Sequence, residues 1–333
     1  MTESLTSGLA STRIARRAAK LVGALLALLS GAALAVQARI NGQLATELGD
    51  AMLAAVISFG GGLAVLVVLL PLAPGMRTGV RRLVKALNSG VVRRWHLLGG
   101  AGGALLVASQ SITVGFLGVA LFTVGVVAGQ TVSGLVVDRV GLGPAAPRPV
   151  SAQRIAGALL MIVAVAITMR GGIAVAGQWA WLLVLPLAAG IAIAVQQAIN
   201  GRVGAATRNA MTATLVNFTV GSVVLVAGWS VSLVARGGPT GFPAHPGLYS
   251  GGLIGITVIA VAVMVVRWIG VLVLGLATIT GQLAGSFALD LFLPAHDEGV
   301  TAATATGLLL ALLATAIASI PHSRYPRRGA LRE

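Results

Sequence analysis

The segment Val36-Gln37-Ala38-Arg39-Ile40-Asn41-Gly42 recurs 159 residues later as Val195-Gln196-Gln197-Ala198-Ile199-Asn200-Gly201. The same offset carries Gly31 onto Gly190, Ser58-Phe59 onto Asn217-Phe218 and Gly62 onto Gly221. Further along each half the offset becomes 152. It then matches Gly99-Gly100 with Gly251-Gly252, Gly103 with Gly255, Gly118 with Gly270, Gly129-Gln130 with Gly281-Gln282, and Asp138 with Asp290. The shortening falls in the loop after the second apolar run, where length changes are tolerated. These matches join glycines and rare polar residues, so a shared apolar composition does not explain them. Self-similarity of this kind constrains the architecture more than any single motif does.

The repeated unit is built for lipid. Apolar residues make up 57% of the chain and charged residues 9%, against roughly a quarter charged in soluble domains. Mean hydropathy is +0.96. A spanning helix needs about 20 mostly apolar residues. Ten segments qualify, near 20–38, 51–72, 96–115, 118–138, 152–170, 179–197, 210–234, 247–266, 270–293 and 301–320. The expected fold is therefore an all-α membrane protein of ten transmembrane helices. The chain divides into a tail at 1–19, repeats at 20–172 and 173–321, and a second tail at 322–333. The first run resembles a signal peptide, but its counterpart at 182–203 lies in mid-chain, so it reads as a retained span.

Five spans per repeat is an odd number, so the second copy enters the membrane from the opposite side. Two inverted five-helix repeats are a recurring plan of secondary transporters. Basic residues orient the chain. With the N-terminus in the cytoplasm, 20 of the 23 Lys and Arg residues fall on the cytoplasmic side, leaving only Arg39, Arg170 and Arg236 outside. Both termini are then expected in the cytoplasm. Most of the +15 net charge is an orientation signal, and no nucleic-acid partner is expected. Between Gly79 and Ala86, the residues Val80, Leu83, Val84 and Leu87 share a helical face flanked by Arg81, Arg82 and Lys85. That segment reads either as an interfacial helix or as an ordinary basic loop.

The repeated Gln-x-x-Ile-Asn-Gly signature and the Gly-Gln of the fourth span in each half resemble the YdcZ-like, EamA-like family of the drug/metabolite transporter superfamily. The resemblance runs from about Lys20 to Pro321. It implies a ten-helix bundle in the bacterial inner membrane and transport, often export, of small molecules.

Several polar residues are candidates for a solute path. Gln130 and Gln282 lie about 17 Å into their spans, near the midplane of a ~30 Å core. They bind substrate or join helices by hydrogen bonds; a symmetric pair suits either role. Gln37 with Asn41, and Gln196 with Asn200, are spaced i,i+4 and so share a face. They line the two mouths of a pathway, or the asparagines act as helix stops before glycine. Ser58 and Asn217 extend the polar path or pack helices, and Gln110 belongs to a polar patch without a match in the other half. Asp290 and Glu47 are the acids placed to couple transport to protons. Asp138 precedes Arg139, and a local ion pair accounts for it.

Absences bound the chemistry. Cysteine is absent, and His96, His245, His296 and His322 are not spaced as metal ligands. No cofactor is expected, and no Gly-x-x-x-x-Gly-Lys loop marks an ATPase. The expected function is secondary transport, in the direction of export, of a small metabolite or drug-like solute by alternating access. The partners are that solute and the bilayer, with a homodimer left open. A non-transporting scaffold is the alternative. A membrane enzyme acting on lipid-linked substrates fits less well, since no acids or histidines gather at one interface.

Overall fold

A backbone in hydrocarbon must satisfy its own N–H and C=O groups, and the helix does so within one segment. The computed structural model describes residues 2–168, 181–236, 238–239, 241–292 and 302–320. It holds no strand among them. Ten α-helices follow in order: α1 Thr2–Leu48, α2 Ala51–Leu72, α3 Pro74–Asn88, α4 Gly100–Val140, α5 Ala152–Thr168, α6 Val184–Thr207, α7 Ala210–Arg236, α8 Gly251–Ile269, α9 Val271–Phe292 and α10 Ala302–Ser319. Short 3-10 helices at Arg94–Gly99 and Pro246–Tyr249 lead into α4 and α8. Among the described residues, eight segments are long and apolar enough to cross a membrane, and α5 is a shorter apolar helix. The loops at 169–180 and 293–301 and the tail at 321–333 lie outside the described residues.

The turn after the first helix of each half is built alike. Gly49 ends α1 at φ 68°, and Arg208 ends α6 at φ 53°. Each is followed by a side chain that caps the next helix. Asp50 Oδ1 accepts from Leu53 N at 3.0 Å, and Asn209 Oδ1 accepts from Thr212 N at 2.8 Å. Short polar side chains at the N-cap satisfy donors that the first helical turn leaves open. Arg208 takes the left-handed conformation without glycine's freedom, which is uncommon for a side chain of its size.

Helix α4 is helical throughout its 41 residues, and a straight helix of that length would run roughly 60 Å. Its contacts exclude a straight rod. A Cβ on Gly102 would stand 2.9 Å from the carbonyl oxygen of Ala192, while Ser133 Oγ reaches the carbonyl of the adjacent Ile191 at 3.5 Å. On a straight helix, positions 102 and 133 would be about 46 Å apart. The chain therefore doubles back between Gly103 and Gly125, and its two arms lie against one stretch of α6. Gly118 is the repeat partner of Gly270, which breaks the chain between α8 and α9 at φ 86°.

Packing runs across the halves. Helix α1 packs on α8 and α9, both arms of α4 pack on α6, α2 packs on α7, and α5 on α10. The largest apolar core forms around the start of α9, where Val271, Leu272, Leu274 and Leu276 are buried with Ala27, Met161 and Ala311. Helix α3 buries Met76, Gly79, Leu83 and Ala86. Its inner face is thus turned from the one expected, and Val84 is exposed. Gly79 fits against Thr212, and the Arg82 guanidinium donates to the carbonyl of Thr207 at 3.3 Å. The segment is a helix, and its buried face meets the α6–α7 turn.

Candidate functional site

Two polar clusters, one built around each copy of the repeated signature, form the candidate site. In the first, Gln37 Nε2 on α1 donates to the carbonyl of Gly251 at 2.9 Å, and Asn41 Nδ2 donates to Ser58 Oγ on α2 at 3.3 Å. The start of α8 closes over them. A Cβ on Gly251 would stand 2.1 Å from Asn41 Oδ1, and one on Gly252 would stand 2.2 Å from the carbonyl of Ser58. Only glycine lets the helix approach this near.

The second cluster repeats the plan on α6, α7 and α4. Gln196 Oε1 accepts from Gly103 N at 2.8 Å, and Asn200 Nδ2 donates to Asn217 Oδ1 at 2.7 Å. Here a Cβ on Gly99 would stand 2.0 Å from Asn200 Oδ1, and one on Gly100 would stand 2.0 Å from the carbonyl of Asn217. Each cluster draws its amides from one half and its glycines from the other. Between them Phe59 and Phe218 meet with ring centroids 5.2 Å apart. Phe59 presses on Gly221 and Gly103, and Phe218 on Gly62 and Gly255. The aromatic pair therefore sits where the two halves meet.

The clusters are alike in backbone and differ in access. Gln196, Asn200 and Asn217 are buried, whereas Gln37 and Asn41 are half-buried. Each cluster also leaves one enclosed amide atom without a hydrogen-bond partner, Asn41 Oδ1 in the first and Asn217 Nδ2 in the second. An unpaired buried polar atom costs about 1–3 kcal/mol, so each cluster carries that cost in this arrangement.

Gln130 and Gln282 occupy equivalent crossings. A Cβ on Gly31 would stand 2.0 Å from the carbonyl of Thr278 and 2.8 Å from Gln282 N. One on Gly190 would stand 2.0 Å from the carbonyl of Val126 and 2.7 Å from Gln130 N. The side chains then part company. Gln130 is buried and faces Gly275 on α9, whereas Gln282 is exposed. Gln110 is exposed on the first arm of α4, next to Ser109, whose buried Oγ lacks a partner. Glu47 is exposed near the end of α1 and accepts from Gln43 Nε2 at 3.0 Å. The Asp290 side chain lies outside the described residues.

One functional-looking group was assigned the wrong partner by sequence proximity. Asp138 pairs with Arg154, not with the adjacent Arg139, which is exposed. Its carboxylate also accepts from Val271 N at 2.7 Å and Leu272 N at 3.3 Å, capping the start of α9 from the other half. Opposite it, the Arg148 guanidinium donates to the carbonyl of Trp268 at 2.8 Å and to that of Ile269. A carboxylate at a helix N-terminus and a cation at a C-terminus both follow the helix dipole. Together they clamp the α8–α9 corner at Gly270. Burial is the chief cause that lowers the Arg148 pKa; nearby Asp138 raises it and Arg154 adds to the lowering. The sequence marks this corner by the span ends at 266 and 270 and by the equivalence of Gly118 and Gly270.

The profile of the family described as "Putative inner membrane exporter, YdcZ" matches residues 22–167 and, a second time, 181–317. The chain belongs to the YdcZ family. With its apolar helices, membership in this family of the drug/metabolite transporter superfamily makes the chain a multi-pass inner-membrane transporter and not a member of an enzyme family. The two matched stretches fall on the two halves that the clusters above draw from. A solved crystal structure of a protein 17% identical in sequence superposes with a TM-score of 0.60, over 91% of this chain and 96% of the other. That likeness concerns the fold alone. No curated protein matches the chain.

Proposed function

We propose that this YdcZ-family chain is a secondary transporter that exports a small metabolite or drug-like solute by alternating access between two inverted five-helix repeats. The repeats are 20–172 and 173–321, with the tails 1–19 and 322–333 both in the cytoplasm. Counting the two arms of α4 separately and adding α5 brings the eight apolar spans to ten, in agreement with this plan. The single observation that carries the reading is the pair of amide–glycine clusters. They have the same backbone plan on opposite copies of the repeat, yet one is closed and the other partly open.

In an inverted repeat those clusters face opposite sides of the membrane. When the halves exchange conformations, the closed cluster opens as the open one closes. Gln37, Asn41 and Ser58 form one mouth, Gln196, Asn200 and Asn217 the other, and Gln130 and Gln282 the path between. Gln110 serves as an added contact on the unmatched side. Amides and hydroxyls present both donors and acceptors, which suits a neutral or zwitterionic solute. Asp290 and Glu47 are the acids available for proton coupling.

The test is efflux from cells preloaded with labelled sugars and amino acids, with and without the chain. Asn41→Ala combined with Asn200→Ala is expected to lower efflux at least tenfold while folded protein still reaches the membrane. A well-folded double variant that exports at the parental rate would remove the clusters from the solute path.

A further inference from the structure

A cavity of about 930 Å³ opens between α1, α9, α10 and the loop after α4, away from the amide clusters. Its polar end carries Arg17, Lys20, Arg148 and Arg154, and no carboxylate among the described residues lines it. Its depth is apolar, with Leu28 on one wall and Leu312 on another. Lys20 and Leu28 are eight residues apart on one helix, so the change from cationic to apolar takes about 12 Å along α1.

That shape fits an amphiphile better than a small anion. A free anion would use the cationic end and leave the apolar walls uncovered. A transported neutral solute would make no use of the cationic end. We infer that the cavity is a binding site for an anionic glycerophospholipid, with its phosphate among Arg17, Lys20, Arg148 and Arg154 and an acyl chain along α1 and α10. Basic pockets between spans are a recognised setting for acidic headgroups. Each guanidinium carries five N–H donors, more than Arg148 and Arg154 use on the Trp268, Ile269 and Pro149 carbonyls and on Asp138. Arg17 and Lys20 are exposed at the mouth. On the proposed topology this mouth opens to the cytoplasmic leaflet. The site is independent of the solute path, and its test reads no flux.

The experiment measures thermal unfolding of the whole purified protein in a neutral detergent. Phosphatidylglycerol, phosphatidylcholine and soluble glycerol phosphate are added separately. A ligand that binds the folded state raises its apparent stability. Phosphatidylglycerol is expected to raise the midpoint by several degrees, and the other two additions to leave it unchanged. Arg17→Gln with Lys20→Gln, both at exposed positions, should abolish the rise. Arg81→Gln with Lys85→Gln on α3 should keep it. Equal stabilisation by phosphatidylcholine, a full effect from glycerol phosphate alone, or the same loss in both double variants would each overturn the assignment.

Discussion

At the scale of single residues, the close crossings turn a methyl group into a sharp probe. Gly31 meets the backbone of α9 with no room for a Cβ, whereas one on Gly60 would have nothing within 4 Å. Because the obstacle at Gly31 is a carbonyl and not a flexible side chain, it has no rotamer in which to retreat. Forcing extra volume into packed positions costs about 1–3 kcal/mol. Gly31→Ala is therefore expected to lower stability by about that amount. Gly60→Ala should be neutral or gain roughly 0.5–1 kcal/mol from helix propensity. Thermal unfolding in detergent measures both, and equal midpoints would refute the crossing. The sequence marks Gly31 only through its match to Gly190. It does not say that the surface behind it belongs to α9, because a glycine names a close approach and not the partner that approaches. The two amide clusters were legible for the same reason, as repeated rare residues. The divergence of Gln130 and Gln282 was not, since equal residues in a repeat need not have equal surroundings, and here one is buried and the other exposed.

At the scale of elements, the corners of the bundle depend on charge borrowed from elsewhere in the chain. Asp138 sits at the end of α4, yet its carboxylate caps α9 and neutralises Arg154 of α5. Both members of that pair are buried, and removing one partner of a buried ion pair costs about 3–5 kcal/mol. Asp138→Asn is expected to destabilise the protein by that order, while Arg139→Ala, at an exposed position, should stay within about 0.5 kcal/mol. Chemical unfolding of the two variants checks this, and the reverse ranking would restore the local ion pair that chain proximity suggests. Sequence reading fails here in an instructive way. Adjacent residues on a helix point about 100° apart, so neighbours in the chain are poor ion partners. The residue that does pair lies 16 positions on, across a turn that no periodicity reports. Helix α3 carries a related lesson. Its amphipathic character is legible, but the inner face is Met76, Gly79, Leu83 and Ala86 because small residues let it settle on the α6–α7 turn.

At the scale of the whole molecule, the proposed topology makes both ends cytoplasmic. Alkaline phosphatase, active only outside the cytoplasm, should be inactive when fused to either terminus. In a chain without native cysteine, Asp297→Cys should react with an impermeant thiol reagent added from outside. Activity at one terminus only would require an odd number of spans and remove the inversion. The membrane-spanning character of the helices was legible because lipid demands long apolar runs. Their mutual arrangement was not, because a helix that faces lipid on one side and helices on the other is apolar all round and loses the amphipathic stripe that orients soluble helices. The interlocking of the halves also has a consequence for synthesis. Helix α1 leaves the ribosome first, but the surfaces it packs on, α8 and α9, begin only at Gly251 and Val271. At translation speeds of roughly 5–20 residues per second, α1 waits on the order of 10–50 s with its glycine face toward lipid. The first half is thus born as a template without its complement, and the order of translation makes the last third of the chain the step that locks the first.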